Sequence, residues 1–188
     1  MKRNEMIPEE VILDAMKKKE YAIERIYEEF SGFVWNIALR TTGNVTLAED
    51  ASAEVFVRIF KNIRKFDFRS SFKTWLYRVA VNTTLNLIDR EKRRKTLRLN
   101  ETYDTEFHGD QETEKDLDNK SIVEELLSGL EEKDRMMIIL REVENLSYEE
   151  IAESLEMNIG TVKTNIYRAR ERLREIYNRT GGRKDEMQ

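Results

Sequence analysis

The stretch that decides the fold lies near the C-terminus, where residues 146–173 read LSYEEIAESLEMNIGTVKTNIYRARERL. Ser147 can cap a helix, and Glu150, three residues later, completes the capping-box pattern of a helix N-terminus. Beyond a polar turn at 156–158, apolar residues recur at helical spacing: Val162, Ile166, Ala169 and Leu173. The pattern predicts two helices joined by a tight turn, a helix-turn-helix, with the second helix running to about Asn178.

Outward from this segment, the rest of the chain is also predicted to be helical. The 188 residues include one proline and seven glycines, too few turn formers for an all-β fold. One long helix is predicted to bury a stripe made of Ile23, Ile26, Tyr27, Phe30, Val34, Ile37 and Ala38. Gly43-Asn44 marks its end, a further helix starts at about Thr46, and another follows a loop at 66–71. The predicted fold class is all-α.

Charged residues are unevenly distributed along the chain, although the net charge is only −4. Basic residues dominate 57–98, acidic residues dominate 99–158, and basic residues return over 159–184. Helical periodicity stops after Arg94, and the acidic segment 95–119 is predicted to be a flexible linker between two small helical domains. The predicted bounds are 1–94 for the first domain, 95–119 for the acidic linker, 120–180 for the second domain with the helix-turn-helix, and 181–188 for a disordered tail.

Several classes of function are disfavoured by what the sequence lacks. There is no cysteine, and the single histidine, His108, lies in the acidic linker without a second imidazole to share a metal. No glycine-rich phosphate loop or catalytic constellation is visible. We therefore expect no catalytic residue, no metal, no cofactor and no enzymatic activity. No apolar run approaches the ~20 residues of a membrane span, so we expect a cytoplasmic protein without membrane insertion.

The second helix of the predicted helix-turn-helix carries residues suited to DNA. Four side chains fall off the apolar stripe near the helix start: Lys163, Thr164, Tyr167 and Arg168. In this motif, that part of the second helix reaches base edges in the major groove. Lysine and arginine can bind guanine or phosphate, and threonine offers a hydroxyl and a methyl group. The alternative is a solvated basic helix that only packs, but the capping box, the turn and the basic second helix agree with one another.

A second candidate site lies in the middle of the chain, where aromatic and basic residues alternate over 66–83. Such a surface can stack unpaired bases and hold the backbone electrostatically. Aromatic residues at helical spacing can equally be core, and that interpretation is favoured for three residues of one stripe: Trp75, Leu76 and Val79. For Phe66, Phe68 and Arg69, in the predicted loop, both interpretations remain open at this point.

The helix-turn-helix closely resembles a known promoter-binding domain. Residues 146–152 (LSYEEIA), 160–164 (GTVKT) and 168–170 (RAR) are similar to the −35-binding domain of the extracytoplasmic-function (ECF) sigma factors. Asn165 departs from that family, in which arginine is common at this position. The resemblance implies that the −35 element is bound by Gly160, Thr161, Lys163, Thr164, Asn165, Tyr167 and Arg168.

Residues 72–82 (FKTWLYRVAVN) resemble the promoter-melting segment of the same family. There a loop and the following helix capture a base flipped out of the −10 element, and extracting a base costs a few kcal/mol. The resemblance implies that loop 66–71 captures the base and that Asn82 lies beside it. The residues it implies for −10 binding and melting, including arginines along the duplex phosphates, are Phe66, Phe68, Arg69, Ser70, Ser71, Asn82, Arg90, Arg93 and Arg94.

Residues 48–58 (AEDASAEVFVR) resemble the helix that grips the clamp coiled coil of the polymerase largest subunit. A glutamine is usual in the family where this chain has Ala53. Taken alone, the segment could equally be an ordinary core helix. The residues implied for polymerase binding are Glu49, Asp50, Ala53, Glu54 and Phe56.

Together the resemblances, which run from about Tyr27 to Leu173, imply a sigma factor. Such a protein binds core RNA polymerase, directs it to promoters through the −35 and −10 elements, and promotes DNA melting. The implied partners are the clamp coiled coil and flap of the polymerase, promoter DNA and a possible anti-sigma factor. The alternative is a helix-turn-helix regulator that binds operator DNA without polymerase, usually as a dimer on a palindrome. That alternative leaves the resemblance of 72–82 to a melting segment unexplained.

Overall fold

The computed structural model describes residues 7–101 and 122–185, and the side chains of 7–97 and 122–179. Within these ranges the regular structure is helical, as predicted, and no strand is formed. The α-helices are α1 Glu9–Met16, α2 Glu20–Thr42, α3 Val45–Asn62, α4 Phe72–Glu101, α5 Ile122–Ser128, α6 Glu132–Ile138, α7 Tyr148–Leu155 and α8 Ile159–Asp185. A 3-10 turn, Ile63–Lys65, follows α3, and a π-helical turn, Ile139–Val143, continues α6.

The break between α2 and α3 occurs at the predicted Gly43-Asn44. Gly43 has the left-handed φ of 64°, which glycine adopts without steric cost, and its N–H donates to the carbonyl of Leu39 at 2.8 Å. The side chain of Asn44 then accepts a hydrogen bond from the N–H of Leu47, also at 2.8 Å, and caps α3. The two residues therefore end one helix and begin the next.

The predicted stripe of α2 is buried at Ile26, Phe30, Val34 and Ile37. The prediction is wrong for Tyr27, which is 52% exposed. Its ring packs against that of Phe56 at the edge of the core, with the two centroids 4.7 Å apart.

Two helices extend beyond their predicted ends. The first predicted domain ended at residue 94, but α4 continues to Glu101, so residues 95–101 of the predicted linker are helical. Residues 91–98 (EKRRKTLR) are mostly good helix formers, and Glu91 pairs with Arg94 at 2.8 Å. Helix α8 runs to Asp185, so the predicted tail is helical at 181–185. The rest of the predicted linker, His108 and residues 186–188 lie outside the described residues.

The N-terminal helices and the C-terminal helices contact each other directly. Helix α7 packs against α4, and α6 with its π-helical turn packs against α2. Buried apolar residues from both halves form one continuous cluster, with Ile37 and Leu76 from the first half and Met136 and Ile166 from the second. The helix-turn-helix is therefore held against the helices that carry the mid-chain candidate site.

Candidate nucleic-acid and polymerase interfaces

The helix-turn-helix has the predicted local geometry. The Ser147 hydroxyl accepts from the N–H of Glu150 at 3.1 Å, and the Glu150 carboxylate accepts from the N–H of Ser147 at 2.8 Å, which completes the capping box of α7. Glu156 ends α7 in a left-handed conformation, with φ 53°. The Asn158 side chain then accepts from the N–H of Gly160 at 2.8 Å, at the start of α8. Local hydrogen bonds thus fix the start of each of the two helices.

Helix α8 has one buried face and one exposed face, as predicted. Val162, Ile166 and Ala169 are buried, and Leu173 packs against the same core. The predicted −35 residues lie on the other face, where all are exposed except Asn165, which is half-buried: Gly160, Thr161, Lys163, Thr164, Asn165, Tyr167 and Arg168. The Thr164 hydroxyl donates to the carbonyl of Gly160 at 2.9 Å, which leaves its oxygen able to accept a further hydrogen bond.

Two contacts that the sequence analysis missed hold α8 in place. The Tyr148 ring contacts two cations, with the Arg141 guanidinium 4.8 Å and the Lys163 ammonium 5.7 Å from its centroid. Arg170 of α8 pairs with Glu142 of the π-helical turn, and this hydrogen bond raises the pKa of the Arg170 guanidinium. No local sequence pattern signals either contact, because each joins residues from different helical segments.

Loop 66–71 contains two phenylalanines that the sequence alone could not assign to the core or to the surface. Phe66 is 5% exposed, and its ring centroid lies 5.4 Å from that of Phe72 and 5.6 Å from that of Trp75. Phe68 is 43% exposed and has a left-handed φ of 60°, which is rare for a bulky residue. Phe66 is therefore part of the core, as Trp75 is, whereas the Phe68 ring is available on the surface.

The other predicted residues of the loop differ in exposure and in the contacts that they make. Arg69 is exposed and pairs with Asp67 at 3.0 Å. Ser70 is half-buried, and the exposed Ser71 accepts a hydrogen bond from the N–H of Thr74 at 3.0 Å, at the first turn of α4. The loop is therefore tied to α4 through Ser71 and presents Phe68 and Arg69 outward.

A cavity of about 450 Å³ lies beside this loop, between α1, α2 and the start of α4. Its walls include Phe30, Phe33, Phe68, Lys73 and Tyr77. The Tyr77 ring stacks on Phe33 with the centroids 3.6 Å apart. Burial raises the pKa of the Tyr77 hydroxyl, and the carboxylates of Glu144, Glu150 and Glu29 raise it further. The cavity is thus lined largely by aromatic rings, and its charged lining residues are Lys73, Glu9 and Glu29.

Asn82 is half-buried on α4 and does not line this cavity. The three arginines predicted to lie along the phosphates follow it on the same helix, and all are exposed: Arg90, Arg93 and Arg94. Arg94 pairs within α4 with Glu91 at 2.8 Å, and Arg90 pairs with Glu54 of α3.

The ion pair of Arg90 with Glu54 joins a predicted DNA contact to a predicted polymerase contact. Glu54 also pairs with Arg58, one turn along α3, at 2.5 Å. Burial alone would raise the pKa of the Glu54 carboxyl, but the hydrogen bonds from Arg90 and Arg58 lower it below its usual value. The pair therefore joins α3 to α4, the helices that carry the two predicted surfaces.

The remaining predicted polymerase residues divide into two groups on α3. Glu49, Asp50 and Ala53 are exposed and share a face. Phe56 is instead buried, with its ring centroid 4.7 Å from that of Tyr27 and 6.0 Å from that of Phe60. Phe56 thus packs beneath the exposed face of α3, whereas the side chains of Glu49, Asp50 and Ala53 are accessible.

The described parts of the chain contain neither a metal-binding cluster nor a membrane-spanning helix. The residues there hold no cluster of three or more acidic or imidazole side chains that could bind a metal. None of the described helices combines the length and the apolar character that a membrane crossing requires.

Comparisons with known proteins agree with this geometry. Residues 26–94 match Sigma-70 region 2, and residues 120–173 match Sigma-70, region 4. The ECF RNA polymerase sigma factor SigW of Bacillus subtilis is 32% identical over 181 residues, which cover 91% of this chain and 97% of SigW. The RNA polymerase sigma factor YlaC of the same bacterium is 30% identical over 175 residues, which cover 91% of this chain and 99% of YlaC.

A solved structure shares the fold. The sigma factor RpoE from Bartonella quintana, crystallised with the anti-sigma factor NepR, superposes with a TM-score of 0.64 at 23% identity, covering 82% of this chain and 96% of RpoE. The chain matches both sigma regions in this order, and it is about one third identical to relatives over nearly their whole length. These matches identify one family. The chain belongs to the ECF RNA polymerase sigma factors, DNA-binding proteins of transcription initiation.

Proposed function

We propose that this sigma factor binds core RNA polymerase and brings it to promoters through two separate DNA-binding surfaces. Residues 120–180 are assigned to the −35 element, and residues 1–94, with the continuation of α4 to Glu101, to the −10 element and the polymerase. The observation that carries the proposal is the division of α8 into two faces. One face is buried, and the opposite face is exposed and carries basic residues. By this proposal the chain acts by binding alone, and catalysis stays with the polymerase core.

The −35 surface is proposed to be the N-terminal half of α8. Lys163 and Arg168 supply the charge for guanine or phosphate, and Thr164 supplies a hydroxyl and a methyl group. Tyr167 is exposed on the same face, where its hydroxyl can donate to a phosphate oxygen. The contact of Lys163 with Tyr148 positions the ammonium group near the start of the helix, where it enters the groove.

The −10 surface is proposed to be loop 66–71 together with α4. Phe68 combines a half-exposed ring with a strained backbone, and such strain persists mainly where function requires it. Its ring and the aromatic walls of the adjacent cavity can stack an unpaired base, while Arg69 holds the strand electrostatically. Arg93 and Arg94, farther along α4, then contact duplex phosphates. Asn82 lies on α4 between loop 66–71 and these arginines.

The polymerase surface is proposed to be the exposed face of α3 at Glu49, Asp50 and Ala53, which would meet the clamp coiled coil. Val57 lies on the same helix and is half-exposed, which adds apolar area to this face. The C-terminal domain would meet the flap. An anti-sigma factor is a further proposed partner, since RpoE, which shares the fold, was crystallised with one. Action in the cytoplasm, where polymerase works, stays a prediction.

The test is transcription from a library of promoter fragments by bacterial core polymerase with and without this protein. We expect initiation from a defined subset of fragments only when both are present. The matched control is a Lys163→Ala, Arg168→Ala double variant, which keeps the buried face of α8 and should lose −35-dependent initiation. Specific duplex binding by the protein alone, with core polymerase left inactive, would overturn the proposal in favour of an independent regulator.

A further inference from the structure

The cavity beside loop 66–71 is closed on one side by the first helix of the chain. Residues 7–9 and Ile12, from the start of α1 and the two residues before it, form this wall. Ile12 is buried, which holds the inner face of α1 against the rest of the domain. At the other end of α1, the Arg64 Nε donates to the carbonyl of Met16 at 2.8 Å. Because Arg64 belongs to the 3-10 turn that precedes the loop, this bond fixes α1 relative to the loop.

The charged groups that line this cavity come from three different helices. Glu9 lies in the first turn of α1, Glu29 lies on α2, and Lys73 lies in the first turn of α4. The Lys73 ammonium is 5.3 Å from the centroid of the Tyr77 ring, which forms part of the wall. Two carboxylates and one ammonium group disfavour a phosphate in the cavity but not a neutral group. The base is the neutral, planar part of a nucleotide, and it can stack on the aromatic walls.

The hydrogen-bonding capacity of these side chains distinguishes among the bases. An ionised carboxylate only accepts hydrogen bonds and an ammonium group only donates them, whereas the hydroxyls of Ser70 and Ser71 can do either. The two carboxylates therefore favour a base edge with an amino group, beside an acceptor for Lys73. Adenine, cytosine and guanine each carry an exocyclic amino group next to an acceptor. Thymine carries none, and its one imino N–H lies between two carbonyl oxygens that a carboxylate repels.

Each of the two carboxylates also has a role in its own helix, which a neighbouring residue allows to be separated. Glu9 and Glu10 both lie in the first turn of α1, where a negative charge interacts favourably with the helix dipole. Glu9 lines the cavity and Glu10 does not. On α2, Glu28 is exposed beside Glu29 and lies outside the cavity lining. Each cavity carboxylate therefore has an adjacent residue of the same charge that serves as its control.

We propose that Glu9 and Glu29 select the unpaired base that enters this cavity, and that the selected base carries an exocyclic amino group. The inference rests on the proposed function, because it concerns the strand of the −10 element that loop 66–71 holds. Lys73 donates to the acceptor beside the amino group, while the phosphates stay outside the cavity. The inference adds α1 to the −10 surface, although α1 lies outside residues 26–94, which match Sigma-70 region 2.

The first step of the test finds which base enters the cavity. The template is a promoter on which the unmodified protein directs transcription, with its −10 region held unpaired by mismatches, and the dissociation constant of the holoenzyme is measured. Each base of the −10 non-template strand is replaced in turn by an abasic site, with the wild type and with Phe68→Ala, which shortens a side chain of the cavity wall. At the captured position the two changes together should weaken binding no more than the larger single effect, because both remove the same contact.

The second step removes only the amino group of the captured base. Hypoxanthine replaces guanine, purine replaces adenine, or 2-pyrimidinone replaces cytosine. We expect the wild type to bind the altered template about fivefold or more weakly, because a hydrogen bond to a charged group is lost. Glu9→Gln and Glu29→Gln exchange a charged acceptor for a neutral one, so each should lose only about twofold. The controls Glu10→Gln and Glu28→Gln should lose as much as the wild type.

Three results would overturn the inference and leave the proposed promoter-directed transcription standing. The first is a thymine at the captured position, and the second is the absence of any position coupled to Phe68→Ala. The third is an equal loss for Glu9→Gln and Glu10→Gln, or for Glu29→Gln and Glu28→Gln. Failure of the unmodified protein to direct core polymerase to any promoter would instead overturn the proposed function and the inference with it.

Discussion

The conformation of Phe68 allows stability and DNA melting to be separated by two substitutions at one position. Phe68→Ala removes the ring, including its contact with Phe66 at 4.7 Å, and should lower the free energy of unfolding by about 1 kcal/mol. Phe68→Gly removes the same ring but also relieves the left-handed backbone at φ 60°, which recovers about 1 kcal/mol. The glycine variant should therefore unfold near the wild-type denaturant midpoint, and the alanine variant should unfold earlier.

Both substitutions should impair promoter melting to the same extent, since both remove the stacking surface. Stacking of one base on an aromatic ring contributes about 1–3 kcal/mol, so the equilibrium constant for open-complex formation should fall about 5-fold to 150-fold. Permanganate reactivity of unpaired thymines in the −10 region measures the open complex directly. Phe68→Tyr keeps the ring and should melt the promoter nearly as well as the wild type.

The outcome that refutes this reasoning is specific. If Phe68→Gly formed open complexes as well as the wild type, the ring would have no role in melting, and its exposure would need another cause. If Phe68→Gly were instead less stable than Phe68→Ala, the backbone at this position would not be strained.

Three further predictions concern other parts of the chain. Ser147→Ala removes the cap of α7 and should lower the unfolding free energy by about 1 kcal/mol in chemical denaturation, whereas Ser147→Asp, which keeps an acceptor, should not. Lys163→Ala in the holoenzyme should weaken binding to a −35 duplex and reduce the salt dependence of that binding by about one unit of log–log slope, measured by titration from low to high salt; an unchanged slope would remove Lys163 from the interface. Because the pKa of Glu54 is lowered in the folded state, the carboxylate stabilises the protein above the ordinary glutamate pKa and loses this effect as the pH falls through the folded value. The difference in unfolding free energy between the wild type and Glu54→Gln should therefore be about 0.5–1 kcal/mol at neutral pH and shrink below pH ~4; a difference constant with pH would contradict the role of the pair with Arg90.

The helix-turn-helix could be predicted from the sequence because its determinants are local. The capping box joins Ser147 to Glu150, three residues apart, and the buried face repeats at Val162 and Ile166, four residues apart. Hydrogen bonding and periodicity over such short spans are read directly from the order of residues. The exposed −35 face could be predicted as well, because it consists of the residues that lie off the buried stripe.

Features that depend on residues far apart in the chain could not be predicted in the same way. Glu54 and Arg90 are 36 positions apart, and the Arg135 guanidinium donates to the carbonyl of Thr41, 94 positions away. Each of these residues has an ordinary local context, and only the packing of α3 on α4 or of α6 on α2 brings the partners together. The interdomain contact was accordingly absent from the sequence-based account, which treated the two domains as separate.

The ends of helices and the loop at 66–71 show a second limit. Periodicity stops after Arg94 because no apolar stripe continues, yet helix propensity alone carries α4 onward to Glu101. Phe66 and Phe68 have the same side chain, yet Phe66 is buried, whereas Phe68, which has a left-handed backbone, is half-exposed. Positive φ values favour glycine and asparagine, so phenylalanine gave no signal of this conformation.

The central claim, that one chain binds two promoter elements through separate surfaces on one polymerase, is tested most directly by selection from promoters randomised at both elements. Wild-type protein, Lys163→Ala and Asn82→Ala are each combined with core polymerase, and transcribed fragments are sequenced. The account predicts that Lys163→Ala changes base preference only at the −35 element and Asn82→Ala only at the −10 element. Changes at the same element in both variants, or no change in either, would contradict it.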